Sequence, residues 1–308
     1  MLSVVIPIYN EEGNIAEINK RLKQVCAKLS LAHEFVFVND GSKDNSLAIL
    51  KDLAKSEAHV KYISFSRNFG HQIAVMAGLD HCKGDVVVII DADLQDPPEL
   101  IEEMYAKYKE GYKVVYAKRN KRKGESWFKL MTAGIFYRIL ASIVNFEIPL
   151  DTGDFRLIDR KVVDALKQMP ENNKFLRGQI AWLGFKSTYV MYDRDERLHG
   201  KTGYPLRKML KFALDGITSF SSSPLKFASI LGFCVSGLAF SIMLYALFGY
   251  FILHDTISGW TSLIISTMFI GGIQLLAIGI IGEYISRINV DVKKRPLYVI
   301  DEISEIKI

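Results

Sequence analysis

Apolar residues in the first 120 positions form short, nearly continuous runs separated by stretches of helical period. Residues 3–9 (SVVIPIY), 34–39 (EFVFVN), 60–65 (VKYISF), 85–90 (DVVVII) and 114–117 (VVYA) read as strands. Residues 12–29, 44–56 and 71–82 read as helices, and Pro97-Pro98 opens another. Strands that are apolar on both faces and alternate with helices predict an α/β domain whose parallel sheet is covered on both sides. Ligands bind such sheets outside the carboxyl ends of the strands. Those ends carry Asn10-Glu11-Glu12, Asn39-Asp40-Gly41-Ser42, Ser66-Arg67-Asn68 and Asp91-Ala92-Asp93.

The pattern changes near residue 225. Residues 227–253 contain no charge, nor do residues 256–282, of which 256–262 read as a polar loop. A bilayer core takes about 20 apolar residues per helix, so two membrane spans are predicted, the second over 263–282. Arg207, Lys208, Lys211 and Lys226 precede the first span, and Arg287, Lys293, Lys294 and Arg295 follow the second. The loop between them has neither Lys nor Arg. By the positive-inside rule both ends face the cytosol. Residues 205–220 place Arg207, Lys208 and Lys211 beside apolar residues at helical spacing, as an interfacial helix does. The expected organisation is a cytosolic catalytic domain (1–204), an interfacial amphipathic helix (205–226), two transmembrane helices (227–283) and a cytosolic tail (284–308). The N-terminus lacks the basic and apolar segments of a cleaved leader, so none is expected.

Composition narrows the classes. The 308 residues carry a net charge of +5, and no nucleic-acid partner is expected. The 3 cysteines form no C-x-x-C pair, which fits a reducing compartment without disulfides or structural zinc. The 6 histidines are scattered and suggest no metal cluster. No G-x-G-x-x-G is present, and His199-Gly200-Lys201-Thr202 fails as a P-loop because Asp195 stands where glycine is required.

Asp91 and Asp93 form a D-x-D directly after a strand. Such a pair can hold a divalent cation that takes its other ligands from phosphates and water, or it can be an acidic turn capping the next helix. Asp40-Gly41-Ser42 can receive a nucleoside, or be a simple turn. A basic run, Lys118 to Lys123, leads into an apolar segment, as at a headgroup-level phosphate site. Residues 151–156, with Asp151, Asp154 and Arg156, read alone as a polar turn holding an ion pair.

Together these residues resemble a known family. Val4 to Glu12, Asn39-Asp40-Gly41-Ser42 and Asp91-Ala92-Asp93-Leu94-Gln95 are similar to the signature of family 2 inverting glycosyltransferases of GT-A (Rossmann-like) fold. Gly124 to Lys129, Thr152 to Arg156 and the two apolar segments resemble the polyisoprenyl-phosphate glycosyltransferases, the group of bactoprenol glucosyltransferase and dolichyl-phosphate mannose synthase. The resemblance covers nearly the whole chain. It implies that Pro7, Tyr9, Glu11, Asp40 and Asp91 hold the nucleotide, that Asp91, Asp93 and Gln95 form the site for Mg²⁺ or Mn²⁺, and that Asp93 and Asp154 are catalytic. Arg119, Arg122, Lys129 and Arg197 would serve the phosphates. Gly203 stands where the family pattern R-x-x-G-x-[ST]-K-Y has lysine, leaving Lys201 to substitute.

The implied reaction is transfer of one sugar, glucose from UDP-glucose as the first expectation, to undecaprenyl phosphate at the cytoplasmic membrane. The donors UDP-N-acetylhexosamine and GDP-mannose stay open. The resemblance also implies a homo-oligomer, a tetramer among relatives. A processive synthase is disfavoured because Gln179-Ile180-Ala181-Trp182 lacks the Q-x-x-R-W grip. A non-catalytic membrane subunit or translocator is disfavoured by the strand-end carboxylates.

Overall fold

The computed structural model describes residues 1–120, 152–193, 223–248 and 259–304. The chain divides into two units, Met1–Leu210 with Arg295–Ile308, and Lys211–Lys294.

In the first unit β1 (Leu2–Ile8), β2 (His33–Asn39), β3 (Val60–Phe65) and β4 (Val86–Ile89) alternate with α1 (Ile15–Leu29), α2 (Ser46–Ser56) and α3 (His71–His81). Then come α4 (Leu100–Lys109), β5 (Val114–Arg119), β6 (Thr152–Asp159), α5 (Arg160–Lys167), α6 (Leu176–Trp182) and β7 (Ser187–Tyr192). A final strand, β8 (Ile300–Ile303), joins from the far end of the chain. The sheet order is β7-β5-β6-β4-β1-β2-β3-β8. β4, β1, β2 and β3 run parallel, as do β5 and β7. β6 is antiparallel to both β4 and β5, and β8 is antiparallel to β3. This is the α/β, mostly parallel architecture expected of a GT-A chain.

The central strands β1, β2 and β4 are buried almost throughout because both faces are covered. Leu2, Val4, Ile6 and Ile8 of β1 enter one core layer with Ile15, Ile18, Leu22, Val25 and Cys26, which recur along α1 at helical spacing. Val5 enters the opposite layer with Ala74, Val75 and Leu79 of α3. Burying each large aliphatic side chain contributes about 1.5–3 kcal/mol. α1 starts later than its sequence period suggests. Asn14 folds back on Glu11 through N–H to O (2.9 Å) and Nδ2 to Oε2 (2.6 Å) bonds, which spend residues 11–14 on a turn.

Residues 152–156 differ from expectation. They are not a turn but the start of β6, where Phe155, Leu157 and Ile158 are fully buried. The anticipated ion pair is present inside that strand, with Arg156 Nη2 2.9 Å from Asp154 Oδ1.

The second unit contains α7 (Ser223–Phe248) and α8 (Trp260–Val292). Leu225–Ile242 and Ser266–Val292 are long and apolar enough to cross a membrane, by length and composition. Side chains such as Phe233 (80% exposed) and Leu275 (72%) serve no protein core. α8 has 33 residues, about 50 Å at 1.5 Å per residue. It therefore runs past the expected span, and Glu283 and Arg287 pair at 3.1 Å one turn apart. Most of the expected interfacial helix, residues 205–222, lies outside the described residues.

Candidate functional site

β1 lies between β2 and β4 in the sheet. The chain steps outward from β1 to β3 on one side, then returns to β4 on the other. Loops leaving β1 and β4 part at that switch point, which is where open α/β sheets bind ligands. A cleft of about 230 Å³ opens there. It is lined by Pro7, Tyr9, Glu11, Asp40, Asn68, Asp91 and Asp93, all named from the sequence, and by Gly70, His71 and Ala74 in addition. Its volume falls somewhat below the roughly 300–1,000 Å³ of small-molecule sites.

At one end of the cleft Asp40 is buried, and its carboxylate accepts hydrogen bonds from the backbone N–H groups of Phe69 (2.6 Å) and Gly70 (3.0 Å). Burial pushes its pKa up, and those N–H groups oppose the rise. Gly41 has φ +65°, and a Cβ there would stand 2.6 Å from backbone atoms of Arg67 and Asn68. Only glycine allows the loops after β2 and β3 to interlock this closely.

At the end of β4, Leu94 takes φ 57°. This rare backbone turns the chain sharply, so that the Gln95 N–H donates to Asp93 Oδ1 at 3.2 Å. Gln95 is not among the cleft-lining residues; the contact it makes here is through its backbone. Asp91 Oδ1 is buried without a hydrogen-bond partner. Burial pushes this carboxyl up to about 6; His71 opposes the rise, and Asp154, Asp93 and Asp96 add to it. Crowding by three other carboxylates is the kind of setting that a hard divalent cation relieves through oxygen ligands. Among the described residues no three His, Cys, Asp or Glu side chains converge on one ion position. Phosphate oxygens and water would have to complete the shell, as is usual for Mg²⁺.

Asp154 reaches this place through strand register. β4 and β6 pair Val86 with Asp159 and Ile89 with Arg156. Continued past the end of β4, that antiparallel register sets Asp154 opposite Asp91. His71, the first residue of α3, bridges them, with Nε2 3.5 Å from Asp91 Oδ1 and 3.2 Å from Asp154 Oδ2. Gln72 Nε2 also donates to Asp154 Oδ2, at 3.3 Å. Burial would raise the pKa of Asp154, but the His71 hydrogen bond and the Arg156 charge outweigh it and hold the group well below the usual carboxylate range. Burial alone would lower His71, yet Asp91 and Asp154 raise it above the ordinary imidazole value.

Arg119, at the end of β5, lies over Gly153, where a Cβ would be 2.9 Å from its Nη2. Its Nε donates to the Tyr192 hydroxyl at 3.2 Å, and that hydroxyl donates to Asp96 at 2.5 Å. Arg122, Lys129, Arg197 and Lys201 lie outside the described residues. Sequence reasoning missed His71, Gln72 and Asp96. The available signal for the first two was a polar His-Gln pair opening an otherwise apolar helix at a strand's carboxyl end.

Comparison with known proteins identifies the family. The model for "Glycosyl transferase family 2" matches residues 3–167. The uncharacterized glycosyltransferase YkcC of Bacillus subtilis is 54% identical over 300 residues, covering 97% of this chain and 93% of that protein. A prophage bactoprenol glucosyl transferase homolog of Escherichia coli is 41% identical, covering 99% of each chain. The SfII prophage-derived bactoprenol glucosyl transferase of Shigella flexneri is 40% identical, covering 97% of each.

Proposed function

The chain belongs to glycosyl transferase family 2, and from that premise we propose that it moves one sugar from a nucleoside diphosphate donor to a polyprenyl phosphate. The observation that carries this reading is the placement of Asp40, Asp91, Asp93 and Asp154 along the carboxyl ends of β2, β4 and the adjoining start of β6. The near full-length relatives named for bactoprenol glucosyl transfer support the lipid acceptor. UDP-glucose is the donor in this reading.

The nucleoside lies at the Asp40 end, with Pro7, Tyr9 and Glu11 around it. Asp91 and Asp93 would hold Mg²⁺ or Mn²⁺, whose chemistry is to neutralise the departing diphosphate. A phosphate oxygen of the acceptor attacks the anomeric carbon as the bond to the diphosphate breaks on the opposite face, so the configuration inverts. A phosphate monoester has a second pKa of about 6 and is already mostly a dianion at neutral pH. No base has to remove a proton, unlike transfer to a hydroxyl. Asp154, held ionised by His71 and Arg156, serves to fix the cations around the acceptor rather than to accept a proton. Catalysis then rests on positioning and on charge stabilisation of the leaving group.

α7 and α8 place the enzyme at the bilayer in this reading. β8 pairs with β3, so the segment carrying both spans leaves and rejoins the same unit. Two crossings satisfy that connectivity. The basic residues flanking the spans assign that side to the cytosol.

The test uses detergent-purified protein, undecaprenyl phosphate, Mg²⁺ or Mn²⁺, and a panel of UDP- and GDP-sugars, with product read by mass spectrometry. One sugar per lipid phosphate from one donor, lost with EDTA and in Asp93→Ala, is the expected result. A polymer, or donor hydrolysis without lipid product, would overturn the acceptor assignment.

A further inference from the structure

Resting on the reading above, we propose that Arg177 on α6 is a binding residue for the acceptor's phosphate. Gln72 ties the start of this helix to Asp154: its Nε2 donates to Asp154 Oδ2 at 3.3 Å, and its Oε1 accepts the Leu176 N–H at 3.3 Å. Arg177 is the next residue, and its charge is felt by both Asp154 and Arg156.

Among the described residues, two other guanidinium groups here are held in place. Arg156 is 1% exposed; its Nε and Nη2 bond the Asp154 carboxylate and the backbone carbonyls of Gly153 and Asp154, and only its Nη1 is left unbonded. Arg119 is held by Tyr192 beside Asp96. Among the described residues Arg177 has no such partner, and its Nε is buried and unbonded. A buried donor without an acceptor costs free energy unless a ligand satisfies it. Asp154 does not require this extra charge, since His71 and Arg156 already pair with it.

The surplus cation lies on the Asp154 side of the Asp91–Asp93 pair, away from the Asp40 end where the nucleoside is placed. The donor's diphosphate is assigned to Asp91 and Asp93. The remaining anion in the reaction is the acceptor's phosphate, and the planar arginine fork suits phosphate oxygens.

The experiment measures steady-state transfer by full-length protein in detergent, varying undecaprenyl phosphate at saturating donor and the reverse. In Arg177→Met the KM for the lipid phosphate rises about 10- to 100-fold, the loss of one charge-assisted hydrogen bond. The donor KM stays within about twofold, and Arg177→Lys recovers part of the loss. A rise confined to the donor KM would make Arg177 a diphosphate contact and overturn the assignment. Unchanged KM values with a lowered melting temperature would make it a packing residue and overturn it equally. If wild-type protein hydrolyses its donor but transfers nothing to lipid phosphate, the acceptor reading itself fails and takes this inference with it. Wild-type transfer with an unchanged acceptor KM in Arg177→Met overturns this inference alone.

Discussion

Asp154 stands opposite Asp91 across the β4–β6 pairing, and the imidazole of His71 spans the gap with contacts of 3.2 and 3.5 Å. The two carboxylates have different surroundings. Burial raises Asp91, while His71 and Arg156 offset the same penalty at Asp154 and hold it low. Environments that push two neighbouring acids apart usually assign them different tasks. Here His71 reaches both acids, and Arg156 bonds Asp154.

His71→Gln removes the charge between the two acids while leaving a polar side chain. Turnover should fall roughly 10- to 100-fold, in line with loss of a charge-assisted hydrogen bond. Asp154→Asn should fall further, because Arg156 and His71 both lose their counter-charge. Donor affinity by calorimetry should hold in both variants. Unchanged turnover in His71→Gln would remove this residue from the mechanism.

Gly41→Ala places a methyl group 2.6 Å from the backbone of Arg67 and Asn68, at φ +65°. The strain should cost about 1–3 kcal/mol. The same displacement disturbs the Phe69 and Gly70 N–H groups that Asp40 accepts from. A lower melting temperature and weaker UDP binding should therefore appear together. Full stability with normal UDP affinity would contradict the interlock.

Glu34 is a pH-sensitive element remote from the cleft. Burial alone would raise its pKa, but hydrogen bonds from Lys61, Ser3 and the Lys83 N–H bring it below the ordinary 4.5. A lowered carboxyl pKa stabilises the fold fully above the unfolded value, and that contribution is lost as pH falls through the folded value. Melting temperature should thus drop on acidification below 4.5. Glu34→Gln should flatten that dependence and cost about 2 kcal/mol at neutral pH.

The returning tail protects a sheet edge. β8 pairs with β3, the Ser66 N–H donates to Val299 O (3.1 Å), and the Ser304 N–H donates to Tyr62 O (2.9 Å). Tyr298 stacks on Phe65 at 5.1 Å and donates to Asp80 at 3.0 Å. Truncation after Arg295 would leave β3 as an unpaired edge, a template for association between chains. Light scattering should detect aggregation and the melting temperature should fall. A monodisperse, equally stable truncated protein would show that the strand is dispensable.

The sequence by itself determined the local elements and their chemistry. Runs of apolar residues marked β1 to β5, since a strand buried on both faces has no polar positions to spare. The carboxylates of Asp40, Asp91 and Asp93 were legible because they directly follow those runs. The two apolar helices were legible from length and missing charge. Tertiary structure decided the rest. β6 was hidden because Asp154 and Arg156 break its apolar pattern, and their cost is offset by each other and by neighbouring carbonyls. β8 is short and half exposed, and only its pairing with β3, far away in the chain, makes it a strand. Periodicity reports how deeply an element is buried but not which element lies beside it. Hence the register that sets Asp154 against Asp91, and the packing that brings His71, Gln72 and Arg177 to the same place, emerged only with the folded sheet.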